Sequence, residues 1–232
     1  MWTRVRRLVS PSLWELTPRD HWQSPADFRR RQVVTVVAGV IGAGVLAWSL
    51  RIEPGSRAFY PATLALAAVW TLGAFASGPL HLGRIGTAEL RPRPVVAPVV
   101  IGLLLAAVFV AGALVVRQVP GLADQVRDVL AHAQKGSAPL VLLSTVAVGA
   151  SEELFFRGAA YAAIPRHPVG VTTVLYVLTT VVTGNPMLIF AAALLGIVVG
   201  LQRRASGGVL APILTHLVWS VTMLYALPAV FL

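Results

Sequence analysis

Apolar runs at 33–50, 59–77, 95–116, 138–164, 168–183, 186–201 and 207–231 alternate with short segments that hold most of the arginine and proline. An α-helix rises 1.5 Å per residue and needs about 20 mostly apolar residues to cross the hydrocarbon core. The pattern therefore predicts an all-α, polytopic integral membrane helical bundle of about seven transmembrane spans, bracketed by six and eight. The runs at 168–183 and 186–201 are short, and only Gly184-Asn185 separates them. They fit two tilted or partly submerged helices, or one broken hairpin. Residues 120–135 differ: Leu122, Val126, Val129, Leu130 and Ala133 recur at helical spacing with Asp124, Gln125, Arg127 and Asp128 between them. That spacing fits a short amphipathic helix on the outer surface, and equally an ordinary loop helix.

Composition agrees with a membrane class: 56% hydrophobic and 12% charged residues, with positive mean hydropathy. The chain divides by character into a basic N-terminal segment (1–32), three plain spans with the amphipathic stretch (33–136), and a C-terminal core (137–232). The first 31 residues hold seven arginines, three prolines and three acids without a compact apolar stretch, unlike a cleavable signal peptide. The run at 33–50 is then an uncleaved first span, and Trp2, Trp14 and Trp22 suit a tail lying on headgroups. With the N-terminus cytoplasmic and seven spans, 13 basic residues fall inside and five outside, leaving aside Arg157 within a span. This bias sets the expected topology of a multi-pass plasma-membrane protein. The net charge of +10 reads as topology and headgroup contact with the lipid bilayer. No nucleic-acid partner is expected, because the basic residues are scattered and lack interleaved aromatics. With no cysteine, thiolate metal sites and cysteine nucleophiles are excluded.

Candidate chemistry concentrates in 137–232. Glu152 and Glu153 are the only acids after Gly136, and they lie in the apolar run Gly149-Ala150-Ser151-Glu152-Glu153-Leu154-Phe155-Phe156-Arg157. One carboxylate at membrane depth costs on the order of 2.5–3.5 kcal/mol on insertion scales, so an adjacent pair calls for a functional reason. On a helix Glu153 and Arg157 share a face at i and i+4, and Glu152 points about 100° away. One carboxylate is thus held by the guanidinium, and the other is free to take a proton from water. A structural ion pair with a lipid-masked second acid fits the same residues. His216 lies in the last span, with Ser220 one turn on. It reads as a packing histidine when taken alone, and as a partner for water activation when taken with the glutamates. Gly196 and Gly200, four apart, are expected to let a neighbouring helix approach closely.

The pattern Glu152-Glu153-x-x-x-Arg157 followed by His216-x-x-x-Ser220 resembles the CAAX prenyl endopeptidase and bacteriocin-processing family of intramembrane proteases, also called the Abi or CPBP family. The segment from Arg203 to His216 resembles the family's approach to its last motif. The resemblance covers roughly 140–225. It implies an intramembrane endopeptidase in which Glu152 helps activate the hydrolytic water and Glu153 and Arg157 shape the site. His216, with the residue four later, would stabilise the oxyanion or a bound metal. It also implies a peptide or protein substrate at the membrane, and a site drawn from Glu152, Glu153, Arg157, His216 and Ser220. Metal dependence stays open: Glu152, Glu153 and His216 are ligand types that suit zinc, yet nothing resembles His-Glu-x-x-His. The chain departs from the family twice. Its middle motif Phe-x-x-x-His stands here as Tyr176-x-x-x-Thr180, and Ser220 replaces the usual Asn or Asp. Threonine is no base near neutral pH, so base work would fall on one glutamate. Two other classes remain: a catalytically silent relative that binds a membrane peptide or partner protein, and a small transporter or proton conductor.

Overall fold

The computed structural model describes residues 9–16, 21–49, 52–53, 56, 58–85, 93–134 and 137–232. Among them the regular elements are helical, without strands. Six helices are long and apolar enough to cross a membrane: α1 (Pro25–Ser49), α2 (Phe59–Ser77), α3 (Val96–Val116), α5 (Ala138–Ala163), α7 (Pro186–Ser206) and α8 (Leu210–Phe231). The sequence predicts about seven spans, and the fifth of its seven runs is the short apolar helix α6 (Pro168–Val181). Its 14 residues rise about 21 Å, less than the ~30 Å core. Outward-facing side chains such as Val36, Val40, Leu72, Phe75, Val108, Val174 and Leu178 are exposed, as a lipid-facing surface requires.

The first span starts at Pro25, ahead of the apolar run, so Arg29, Arg30 and Arg31 are helical. Arg31 is buried because α2 ends beside it: its guanidinium donates to Gln23 Oε1 (2.8 Å), Ser77 Oγ (3.3 Å) and the Pro79 carbonyl (3.0 Å). The loop after α2 then pairs with the turn before α8. Arg84 N donates to the Ser206 carbonyl, Val209 N to His81 O and Leu210 N to Leu82 O. Gly83, at φ +84°, lies against Gly208 so closely that a Cβ on either would strike backbone.

The amphipathic stretch forms α4 (Pro120–Gln134). Its Ala123 and Leu130 are buried with Ala113 of α3 and Phe231 of α8, while Asp124 and Arg127 pair on its exposed face. Beneath it an apolar cavity of about 250 Å³ is lined by Phe109, Val126, Met187, Trp219 and Phe231 among others. The Gly184-Asn185-Pro186 break is a helix start: Asn185 Oδ1 accepts from Met187 N and Leu188 N, and its Nδ2 donates to the Gln125 carbonyl of α4.

Gly196 and Gly200 lie where α7 meets α6. A Cβ on Gly196 would come within 3.0 Å of Thr173 Cγ2, and one on Gly200 within 3.1 Å of Val169 Cγ1. The bare backbone is what lets these helices close, as the sequence predicts. A second packed region joins Ala38, Leu66 and Trp70 to Phe155, Phe156, Tyr176 and Ala192, bringing α1, α2, α5, α6 and α7 together under the acidic pair.

Candidate functional site

The acidic pair falls where α5 changes its winding. Ala138–Glu152 is α-helical, and Glu153–Ala160 is a π-helix before the last α turn. Such wide turns are rare and recur at functional sites. Here nearly every residue from Glu153 to Ala160 is buried, so helices crowd this segment on all sides. The expectation of plain α geometry is corrected on this point, although the i,i+4 pair survives it.

Glu153 and Arg157 are fully buried and paired, Nη1 to Oε1 at 3.2 Å. The guanidinium also donates from Nη2 to the Gly196 carbonyl (3.2 Å) and stands over the Tyr176 ring, 4.8 Å from its centroid. Arg157's own carbonyl accepts from Arg203 Nε at 2.6 Å, and the Arg203 guanidinium lies 4.6 Å over the Tyr161 ring. Gly196 therefore does more than admit a helix, since its carbonyl meets the buried cation. Neither Arg203 nor Gly196 carried a site signal in the sequence.

His216 comes from α8 and enters between the two glutamates. Its Nδ1 lies 2.8 Å from Glu153 Oε1, and its Nε2 lies 4.0 Å from Glu152 Oε2. Glu153 Oε1, which already faces Arg157, takes the Nδ1 side of the ring and leaves Nε2 on the side of Glu152. Neighbouring contacts fix the height of the ring. Thr215 Oγ1 donates to the Pro98 carbonyl and accepts from Gln202 Nε2, both at 2.8 Å, and Trp219 packs edge-on to the imidazole at 6.3 Å.

Glu152 is the more accessible acid: its side chain is 19% exposed, against 0% for Glu153. Its Oε2 accepts from the Tyr176 hydroxyl at 2.7 Å. The middle-motif aromatic is thus the group that α6 sends into the site. Thr180, one turn on, donates instead to the Tyr176 carbonyl at 3.0 Å. Ser220 is half-buried one turn beyond His216 and makes no side-chain hydrogen bond among the described residues. Of the remaining histidines, His81 stacks on His21 with ring centroids 3.8 Å apart, and His167 precedes α6. Burial and the Arg203 and Arg31 guanidiniums hold the His81 imidazole below its ordinary pKa.

The donor set for a zinc ion does not form from these residues. Glu153 sits on the Nδ1 side of the imidazole and against a guanidinium, so only Glu152 shares the Nε2 side. Among the described residues no group of three or more His, Cys, Asp or Glu is placed to hold a metal.

Residues 134–222, less than half of the chain, match the family model of the Rce1-like type II CAAX prenyl endopeptidases. The matched segment carries all of α5 to α7 and α8 through Ser220. A search of curated proteins and one of solved structures give no match.

Proposed function

We infer that the protein is an intramembrane endopeptidase of the CAAX type, hydrolysing a peptide bond with water activated by Glu152. One observation carries the reading: Glu152 Oε2 and His216 Nε2 face one another across 4.0 Å, a gap that one water oxygen spans. Each pole of that gap has a fixed orientation. Glu153 holds the imidazole from Nδ1, and Tyr176 holds the Glu152 carboxylate.

In this reading water donates a hydrogen bond to Glu152, the partly exposed acid, and its lone pair is left toward a scissile carbonyl. Glu152 takes the proton as the water oxygen attacks, then delivers it to the leaving nitrogen. His216 Nε2 aligns the water from the far side. Arg157 neutralises Glu153, so that the two adjacent carboxylates do not compete for one proton. No step is routed through a metal. The substrate is a peptide or protein segment in the bilayer. The arginine distribution favours a cytoplasmic N-terminus.

The test compares peptide termini in membranes that hold wild type or Glu152→Gln at matched levels, followed by cleavage with pure protein. Termini that depend on Glu152 support the reading, and cleavage that survives the substitution in pure protein sinks it. A second reading, a silent relative that holds a membrane peptide or partner protein, draws on Thr180. The family's histidine is missing there, and the hydroxyl present returns to its own helix. Identical termini with and without Glu152 would favour that one.

A further inference from the structure

We propose that the Tyr176 hydroxyl is the oxyanion donor of this site, a role that rests on the protease reading above and deepens it. Hydrolysis of an amide needs a donor aimed at the carbonyl oxygen as its charge develops. In that reading His216 turns Nδ1 to Glu153 and Nε2 to the water beside Glu152, so neither ring nitrogen is left for the carbonyl oxygen. Thr180 and Ser220 send no hydrogen bond into the site. Tyr176 does: its O–H points at Glu152 Oε2 from 2.7 Å.

The ring that carries this hydroxyl is held on several sides. Phe156 packs edge-on at 5.1 Å, and Trp70 and Phe155 continue the aromatic contact toward α2. Arg157 covers a face of the ring. The residue is 8% exposed, so the hydroxyl is presented by a fixed ring rather than a mobile side chain. A hydroxyl here is an addition to the motif, whose aromatic is phenylalanine. It appears in a chain that lacks the motif's histidine one turn on.

The proton bookkeeping makes the hydroxyl available when it is needed. A lone pair of the water oxygen forms the new C–O bond, the carbonyl π pair moves onto oxygen, and the water proton goes to Glu152. Glu152 is then neutral and no longer the strongest acceptor beside Tyr176, whose O–H turns to the oxyanion. On collapse the C=O re-forms, the C–N pair leaves with nitrogen, and nitrogen takes the proton from Glu152. The products are a carboxylic acid and an amine. Tyr176 keeps its own proton throughout and returns to the Glu152 carboxylate.

The experiment uses full-length protein in proteoliposomes with a quenched-fluorescent pool of random peptides. The cleaved sequence is then remade with a thioamide at the scissile bond. Sulfur accepts hydrogen bonds poorly, so an enzyme with an oxyanion donor prefers the oxygen substrate. Tyr176→Phe is expected to lose about 10²–10³ in kcat with KM little changed, and to lose most of that preference, while melting like wild type. Full activity in Tyr176→Phe, with Glu152→Gln inactive, overturns the role and leaves the protease reading standing. So does a slower Tyr176→Phe that keeps the wild-type oxygen preference, since Tyr176 would then only position Glu152. Cleavage that survives Glu152→Gln, or none by wild type, overturns the protease reading and the role with it.

Discussion

Glu153 Oε1 lies 2.8 Å from His216 Nδ1 and 3.2 Å from Arg157 Nη1, so one buried oxygen ties α8 to the π-helical turn of α5. Its neighbour Glu152 has no such duty. It touches Tyr176 and keeps part of its carboxylate exposed. Two adjacent and chemically identical residues therefore stand in different surroundings, one buried between a guanidinium and an imidazole and the other partly exposed beside a phenol.

That difference predicts opposite phenotypes for the same substitution. Glu153→Gln leaves the buried Arg157 charge without its counter-ion, a class of change that costs about 3–5 kcal/mol. Its thermal unfolding in detergent should fall well below wild type. Glu152→Gln keeps a carbonyl oxygen for the Tyr176 hydroxyl and should melt within about 1 kcal/mol of wild type, while cleavage drops by about 10²–10⁴. Equal stability losses in the two variants would refute the prediction.

A second prediction concerns Arg203, whose Nε reaches the Arg157 carbonyl while its guanidinium lies over Tyr161. Lysine carries the charge but cannot stack a planar group and donate along its edge together. Arg203→Lys is expected to lose roughly 1–3 kcal/mol, the cost of leaving a buried acceptor unmet. Melting curves that superimpose on wild type would show that the carbonyl of the π-helical turn needs no partner from α7.

Much of this arrangement could be read from the chain, and the parts that could not share a cause. Hydropathy counts residues within one segment, so it found the long helices. It left α6 uncertain, because 14 residues suit either a short span or a buried helix. The convergence of Glu152, Glu153, Arg157 and His216 was legible because charge in an apolar run has few acceptable partners. The π-helical winding, the Arg203 bond to a carbonyl and the burial of Arg31 depend on what neighbouring helices supply, and no local pattern encodes that. Arg29, Arg30 and Arg31 look like loop residues until Ser77 and Pro79 stand beside the last of them. Tyr176 was visible as the motif's aromatic. Only the fold brings its hydroxyl to Glu152.

Thr215 offers a third test, next in sequence to the histidine but facing away from the glutamates. Its hydroxyl joins Gln202 of α7 to the Pro98 carbonyl of α3, wholly buried. Thr215→Val preserves shape and strands both partners, for an expected loss of about 1–3 kcal/mol. Because the bond sets the height of α8, activity should fall along with stability. Thr215→Ser, which keeps the hydroxyl, should restore most of both. A valine variant as stable as wild type would mean that α8 is positioned by packing alone.

The last prediction separates glycines that look alike in the sequence. Gly196 and Gly112 both lie inside long apolar helices, yet a Cβ meets Arg157 Nη2 at 3.2 Å and Thr173 Cγ2 at 3.0 Å in the first case and nothing within 4 Å in the second. Gly112→Ala should stabilise by up to about 1 kcal/mol, since helical glycine carries an entropic cost and no neighbour resists the methyl group. Gly196→Ala must instead push α6 or the guanidinium outward, which costs about 1–3 kcal/mol and disturbs the Arg157 contact with Glu153. Unfolding temperatures of the two variants, measured in one detergent, should move in opposite directions. If Gly196→Ala melted as high as Gly112→Ala, the close approach of α6 to α7 would not be what confines Arg157, and its pairing with Glu153 would stand on charge alone.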